Sequence, residues 1–210
     1  TKIDLVSPAR AAAARAEIEA AFAESFLTGA PIYPVSSETC EGLDAFYAGL
    51  IAAVRARTRE RRPGVFRMPV ERSFAPEGFG TVVTGIPVTG AVSVGDTLEL
   101  EPGGRTGRVR GIQCFLRPAE RGAAGQCLAL NIPELGRPAP ERGQVLCVPG
   151  HLSANAIFHL ALETTPDLAP PLRHGEPVKF YAGTSEANGK LYLLEERAVP
   201  ARARALATVV

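Results

Sequence analysis

The sequence predicts a multidomain chain in which an α/β segment is followed by antiparallel β domains. Before about residue 62, two segments with apolar residues at helical spacing flank one short apolar run. Beyond Pro63, apolar residues recur at every second position, as in β-strands, and glycines become frequent. With 210 residues, 46% of them hydrophobic, 21% charged and a net charge of +1, the chain is a globular one with room for two or more small domains.

The α/β segment begins with a predicted helix from Ser7 to about Phe26. Ser7 suits the N-cap and Pro8 suits the first helical position. After the turn TGAP, the run IYPV at residues 32–35 predicts a buried strand. The apolar face of the first helix is predicted to comprise Ile18, Ala21, Phe22 and Ser25.

A second helix is predicted from Leu43 to about Arg59. The order helix, strand, helix is typical of the closing part of an α/β domain with a parallel sheet. One apolar face of this helix is predicted to consist of Leu43, Phe46, Tyr47, Leu50, Ile51 and Val54.

Short runs of period two, separated by Gly and Pro, predict a small antiparallel barrel over residues 63–150. The runs are VFRMPVERSF, GFGTVVTGIPV, DTLELEP, RTGRVRGIQCFL, QCLALNIP and QVLCVPG. A second β series follows over residues 151–210, in AIFHLALETT, PVKFYAGTSE, GKLYLLEE and RALATVV. A closed barrel usually needs more strands, so we expect this series to be cut short or to pair with strands of another chain.

Composition and spacing also exclude several kinds of site. No apolar run is long enough to span a bilayer and no basic-then-apolar leader is present, so we expect a cytoplasmic protein without a membrane partner. The cysteines form no CxxC pair and the histidines are scattered, so we expect no metal site. We interpret all four cysteines, Cys40, Cys114, Cys127 and Cys147, as reduced thiols that behave as small core residues.

Two groups of arginines have open interpretations. One is the basic C-terminal end of the second helix, with Arg55, Arg57, Arg59, Arg61 and Arg62, and the other comprises Arg105, Arg108 and Arg110. Either group could contact RNA phosphates, but we favour solvated faces, which at the helix end would also suit the helix dipole.

The first four residues, TKID, have the pattern of a guanine-recognition motif opened by Thr1. In such a site a carboxylate, here Asp4, accepts hydrogen bonds from the two N–H groups on the edge of the base. The aliphatic stem of Lys2 would pack flat on the ring. Adenine cannot donate both bonds, so Asp4 would carry the base specificity.

The O6 atom of the guanine then needs a backbone donor from a second loop. The run SSETCEG follows the predicted strand IYPV and is placed to form that loop. Ser37 would present its N–H, Ser36 would brace the turn, and Glu38 follows them.

With these motifs, the chain resembles the translational GTPases. The stretch MPVERSFAPEGFGTVVTGIPVTGAVSVGDTLEL is similar to the first strands of the second domain of that family, and the resemblance extends over roughly residues 66–148. Five glycines fall where the family has turn or bulge glycines, namely Gly78, Gly80, Gly85, Gly90 and Gly95.

Within the family the likeness is greatest to the bacterial selenocysteine-specific elongation factors, ahead of elongation factor Tu and the gamma subunit of initiation factor 2. Thr1 at the start of TKID, the wording VSSETCEGLD, and RVRGIQ followed by AGQCLALN carry this likeness. The phrase VKFYAGTSEANGKLYLLE is similar to the start of the third domain of these factors.

This resemblance implies a domain assignment. Residues 1–62 would be the C-terminal part of a P-loop GTPase domain, residues 63–150 the second-domain barrel, and residues 151–210 the start of a truncated third-domain barrel. The parent factor would bind GTP and Mg²⁺, deliver selenocysteinyl-tRNA to the ribosome at UGA codons, and read the selenocysteine-insertion mRNA hairpin through further domains. The motif GxxxxGK[ST] does not occur in the sequence, so we expect this chain to contain no catalytic residue and to be inactive as a GTPase.

The resemblance also implies an amino-acid pocket in the second domain. Elongation factor Tu has an acidic pair where this chain has Glu71 and Arg72, with Phe74 beside them. A cation at that position would favour a selenolate over a neutral serine hydroxyl. The selenocysteine factors usually carry a second Arg where this chain has Cys127, so Arg72 would act alone or with Arg142 of the PERG turn. The alternatives are a related elongation or initiation factor with another aminoacyl-tRNA cargo, and a non-enzymatic barrel that binds a protein or RNA.

Overall fold

The computed structural model describes residues 1–57 and 62–210. The chain divides into two compact units, Thr1–Glu60 and Arg61–Val210. The first unit contains a 3-10 turn at Ile3–Leu5 and two helices, α1 at Pro8–Phe22 and α2 at Leu43–Ala56. No helix within the described ranges is both long enough and apolar enough to cross a bilayer.

Helix α1 starts as predicted and ends earlier. The Ser7 hydroxyl accepts a hydrogen bond of 3.3 Å from the amide of Arg10, and Pro8 is the first helical residue. The helix ends at Phe22, where the hydroxyl of Thr28 folds back and donates to the terminal carbonyls, at 3.0 Å to Phe22 O and 2.8 Å to Ala23 O. The predicted end of α2 at Arg59 lies outside the described residues.

The prediction of a buried strand at IYPV is wrong. Residues 32–35 are half-buried or exposed and belong to no strand. Among the described residues, a single backbone hydrogen bond, from Ile3 N–H to Val35 O at 3.4 Å, connects this run to another segment. A strand requires a ladder of such bonds. The predicted apolar face of α2 is largely exposed within this unit, from 37% for Phe46 to 65% for Val54.

The second unit begins with a domain of short antiparallel strands, as predicted. The strands are β1 Arg67–Pro69, β2 Arg72–Phe74, β3 Val82–Gly85, β4 Ala91–Ser93, β5 Thr97–Glu101, β6 Arg105–Arg108, β7 Gly111–Cys114, β8 Arg117–Ala119, β9 Arg121–Ala123, β10 Leu128–Asn131 and β11 Val145–Cys147. They form sheets in the orders β1-β11-β5-β6 and β2-β3-β10-β7-β8 and a ribbon β4-β9, rather than one continuous hydrogen-bonded cylinder in the described residues. Strands β4, β8 and β9 were not predicted, because the three-residue segments AVS, RPA and RGA are too short to show an apolar period.

These strands enclose one apolar core. Met68, Leu100 and Leu130 are fully buried in it, and a 3-10 turn at Pro133–Leu135 inserts Leu135 from the side. Inward residues alternate with outward ones, as along Val82–Gly85, where Val83 and Gly85 are buried. The outward residues of β2, β3 and β10 therefore form an open sheet face.

A second β region with its own core follows. Its strands are β12 Phe158–Glu163, β13 Leu172–Arg173, β14 Glu176–Ala182, β15 Ser185–Leu193, β16 Ala198–Val199 and β17 Arg204–Val209. The four predicted strands are present in the sheet β12-β17-β15-β14, and a short ribbon β13-β16 was not predicted. The core of this region contains Leu191, Leu193, Val199, Ala207 and Val209.

Candidate functional site

In the first unit, the TKID segment and the SSETCEG loop lie side by side. The bond between Ile3 N–H and Val35 O joins the two segments immediately before the loop starts. Lys2 has a left-handed backbone with φ 63° and ψ 38°, and Asp4 lies in the following 3-10 turn. Both side chains are exposed, so their polar ends are available to a ligand.

Ser36 holds the loop in shape. It is fully buried, and its hydroxyl accepts hydrogen bonds from the amides of Glu38 and Thr39, both at 3.2 Å. Its own amide donates to Glu41 O at 3.0 Å, which closes the loop. Ser37 and Glu38 are left on the exposed side. The structure thus brings the two predicted base-contacting segments together, and the guanine assignment stays a prediction.

In the second unit, Arg72 and Phe74 lie on the open face of the sheet. In the strand register Arg72 pairs with Thr84, and Thr84 pairs with Ala129 of β10, which places the three side chains in one row. Phe74 is 50% exposed two residues farther along β2. Glu71 is half-buried, and its amide donates to Thr84 O at 2.9 Å. A cation and an aromatic ring are therefore available on one sheet surface.

Cys127 lies at the end of the same face. Its carbonyl accepts a hydrogen bond of 3.1 Å from Phe115 N–H, which continues the pairing of β10 with β7. It precedes Ala129 by two residues and so shares its face. Two strand spacings, about 10 Å, separate β10 from β2.

The prediction of core thiols holds for two cysteines and is wrong for two. All four are free; Cys147 is buried and Cys114 packs against the core, whereas Cys40 and Cys127 are exposed. Cys127 is exposed because it directly precedes Leu128, the first inward-facing residue of β10, and so takes an outward position. Burial, with the carboxylates of Glu99 and Glu101 nearby, raises the pKa of the Cys147 thiol.

Arg142 lies on a segment that runs beside the start of β2. The amide of Val70 donates to Gln144 O at 2.8 Å, the amide of Gly143 donates to Val70 O at 3.3 Å, and the Ser73 hydroxyl donates to Pro140 O. Arg142 is exposed between these contacts. The segment that carries Arg142 is thus fastened along the strand that carries Arg72.

Two further residues of this face were not singled out from the sequence. The Thr84 hydroxyl lies 3.4 Å from Arg72 O. The buried Oδ1 atom of Asn131 accepts no hydrogen bond within the described residues, and Asn131 pairs with Val82, which pairs with Phe74. The alternation of inward and outward residues along VVT and LALN is the sequence signal that could have placed Thr84 and Asn131 on this face.

The other arginine group makes intramolecular contacts. Arg105 donates to Pro138 O at 2.6 Å, Arg108 to Gly95 O at 3.0 Å, and Arg110 pairs with Glu134 at 3.1 Å. These contacts tie the ends of β6 to neighbouring loops. They give these arginines a local structural role.

Several known proteins similar to this chain are selenocysteine-specific elongation factors. No protein-family model matches the chain. It is 35% identical over 195 residues to a selenocysteine-specific elongation factor of Desulfomicrobium baculatum, covering 93% of this chain and 31% of the relative. It is 32% identical to that of Haemophilus influenzae, covering 89% of this chain and 29% of the relative. The crystal structure of a bacterial selenocysteine-specific elongation factor matches with a TM-score of 0.78 and 25% identity, over 99% of this chain and 33% of the other. The chain thus spans about a third of the length of these three proteins.

Proposed function

We propose that this chain, which is similar over about 90% of its length to selenocysteine-specific elongation factors, is part of a GTP-dependent factor that delivers selenocysteinyl-tRNA to the ribosome. In this proposal residues 1–62 supply the base-recognition edge of the GTP-binding domain. Residues 63–150 form the second domain, and residues 151–210 contribute the start of the third. Contacts with the mRNA hairpin are assigned to other parts of the factor.

The open face around Arg72 is the observation that supports this cargo. A selenol is much more acidic than a serine hydroxyl and is largely ionised at neutral pH. The guanidinium of Arg72, exposed beside the segment that bears Arg142, would attract the anion and not the neutral hydroxyl. Hydrogen bonds to charged groups contribute about 1.5–3 kcal/mol, which corresponds to a preference of roughly 10- to 100-fold.

The test is a titration of the whole factor, in the presence of a GTP analogue, with one tRNA carrying either selenocysteine or serine. Because the tRNA body is the same, only the side chain distinguishes the two ligands. We expect binding of the selenocysteine form to be tighter by at least about tenfold. Equal dissociation constants would contradict the proposal.

The described residues suit the guanine base but not Mg²⁺. The exposed Asp4 carboxylate and the Ser37 amide supply the acceptor and the donor that a guanine edge requires. No group of three His, Cys, Asp or Glu side chains in the described parts of the chain is arranged to hold a metal ion, and we assign Mg²⁺ no ligand here. GTP and Mg²⁺ therefore enter the proposal as ligands of the whole factor.

The role of Asp4 predicts a base preference. Inosine triphosphate lacks the 2-amino group of GTP, so Asp4 would lose one of its two bonds to the base. We expect the whole factor to bind GTP about tenfold more tightly than inosine triphosphate, as measured by calorimetry. The substitution Asp4→Ala is expected to abolish this preference, whereas Asp44→Ala, at an exposed carboxylate in the first turn of α2, should retain it. A preference that survives Asp4→Ala would remove Asp4 from the base site.

A further inference from the structure

The turn between β14 and β15 rests on the backbone just before Arg72. Gly183 and Thr184 form this turn, because Ala182 pairs with Ser185 in the strand register. The Thr184 hydroxyl is half-buried and donates a hydrogen bond of 2.8 Å to Val70 O. The third-domain region therefore holds the chain two residues away from Arg72.

The residue that follows this turn, Ser185, contacts the segment that carries Arg142. A Cβ added at Gly143 would lie 3.1 Å from Ser185 Cα and 3.3 Å from Ser185 Cβ, so the two residues are in close contact. Gly143 N–H shares the acceptor Val70 O with Thr184. Thr184 of the turn and the adjacent Ser185 of β15 thus contact both segments that bear the candidate cations.

Such a restraint matters because both arginines are exposed and lie on adjacent backbone segments. One anion can contact two guanidinium groups only when the spacing of the segments that carry them suits it. Two backbone bonds at Val70 and the Ser73 hydroxyl hold the segments together within the second domain. The Thr184 contact adds a restraint from outside that domain.

We propose that Thr184 is a positioning residue, which fixes the spacing between Arg72 and Arg142 and thereby sets the preference for an anionic aminoacyl side chain. This inference rests on the proposed function. It makes the third-domain region a determinant of cargo specificity although none of its residues is assigned to the pocket.

The test compares Thr184→Val, which keeps the shape and removes the hydroxyl, with Thr184→Ser, which keeps the hydroxyl. In the whole factor we expect Thr184→Val to lower the preference for selenocysteinyl-tRNA over the same tRNA carrying serine by about fivefold, and Thr184→Ser to preserve it. The loss should appear only above the pKa of the selenol. Below it the selenol is neutral, and wild type and variant should bind both forms alike.

The outcomes separate this inference from the proposed function. A wild-type factor without any preference would contradict the proposed function itself. A wild-type preference that Thr184→Val leaves intact would overturn the inference alone, as would an equal loss of affinity for both tRNA forms at every pH. If Thr184→Val does not fold, as judged by thermal unfolding, Thr184→Ala removes the same hydroxyl with a smaller side chain and is expected to lower the same preference; an unchanged preference would overturn the inference.

Discussion

Replacing Arg72 with serine in the whole factor is expected to lower the preference for selenocysteinyl-tRNA over the same tRNA carrying serine by about 10- to 100-fold. Arg72 is exposed on the open face of the sheet, in one row with Thr84 and Ala129. Without its guanidinium, the face keeps Phe74 and loses the cation on β2. Titration of both tRNA forms, with a GTP analogue present, measures the ratio directly.

Matched variants make this prediction specific. Arg117→Ser removes an exposed arginine from β8, at the other edge of the same sheet, and should leave the ratio unchanged. Adding Cys127→Arg to the Arg72→Ser factor places a cation on the same face and should restore part of the preference. If Arg72→Ser weakens binding of both tRNA forms equally, Arg72 contacts the tRNA and does not recognise the selenolate.

Local chemistry explains which elements could be predicted from the sequence. Ser7 and Pro8 define the start of α1 through bonds made within one turn, and the alternation in VVTG and LALN defines β3 and β10. The end of α1 depends on the Thr28 hydroxyl reaching back six residues, which no helical period reveals. The strand predicted at IYPV was wrong for a related reason, since a strand is defined by its neighbours and not by its own composition.

The candidate site could be predicted only in part, for the same reason. The spacing of Arg72 and Phe74 by two residues places them on one face of a strand. The position of Arg142 depends on backbone bonds between Val70 and residues more than 70 positions later in the chain. The contribution of Thr184 depends on a hydrogen bond across 114 positions. Neither contact has a local pattern in the sequence, so the candidate site acquires its second segment and its proposed restraint only when the second unit folds.

The glycines of the GTVVTG region illustrate a further limit of the sequence. Four of the five predicted turn or bulge glycines, at 78, 80, 90 and 95, have φ between 70° and 98°, where glycine avoids a Cβ clash. Gly85 is different, because it lies in β3 and its φ is not in the left-handed region. Its requirement is space, since an added Cβ would collide with Pro69 O and lie 3.0 Å from Met68 Cγ.

Gly85→Ala is therefore expected to destabilise the second unit by about 1–3 kcal/mol, the usual cost of overpacking a core. Pro69 belongs to β1 and Met68 is fully buried, so the methyl group would push apart two sheets that share one core. Denaturant unfolding of the 210-residue chain, followed by amide hydrogen exchange in β3 and β10, would locate the loss.

Gly111→Ala is the matched control for this prediction. Gly111 lies in β7 of the same sheet, also without a left-handed φ, and an added Cβ there would meet only Asn131 Cβ at 4.0 Å. We expect its stability to stay within about 0.5 kcal/mol of wild type. If Gly85→Ala had the same free energy of unfolding as Gly111→Ala, the two sheets could separate at β3 without loss of stability. In that case close packing would not explain why this position is a glycine, and the register that places Arg72 opposite Thr84 would be held by β2–β3 pairing alone.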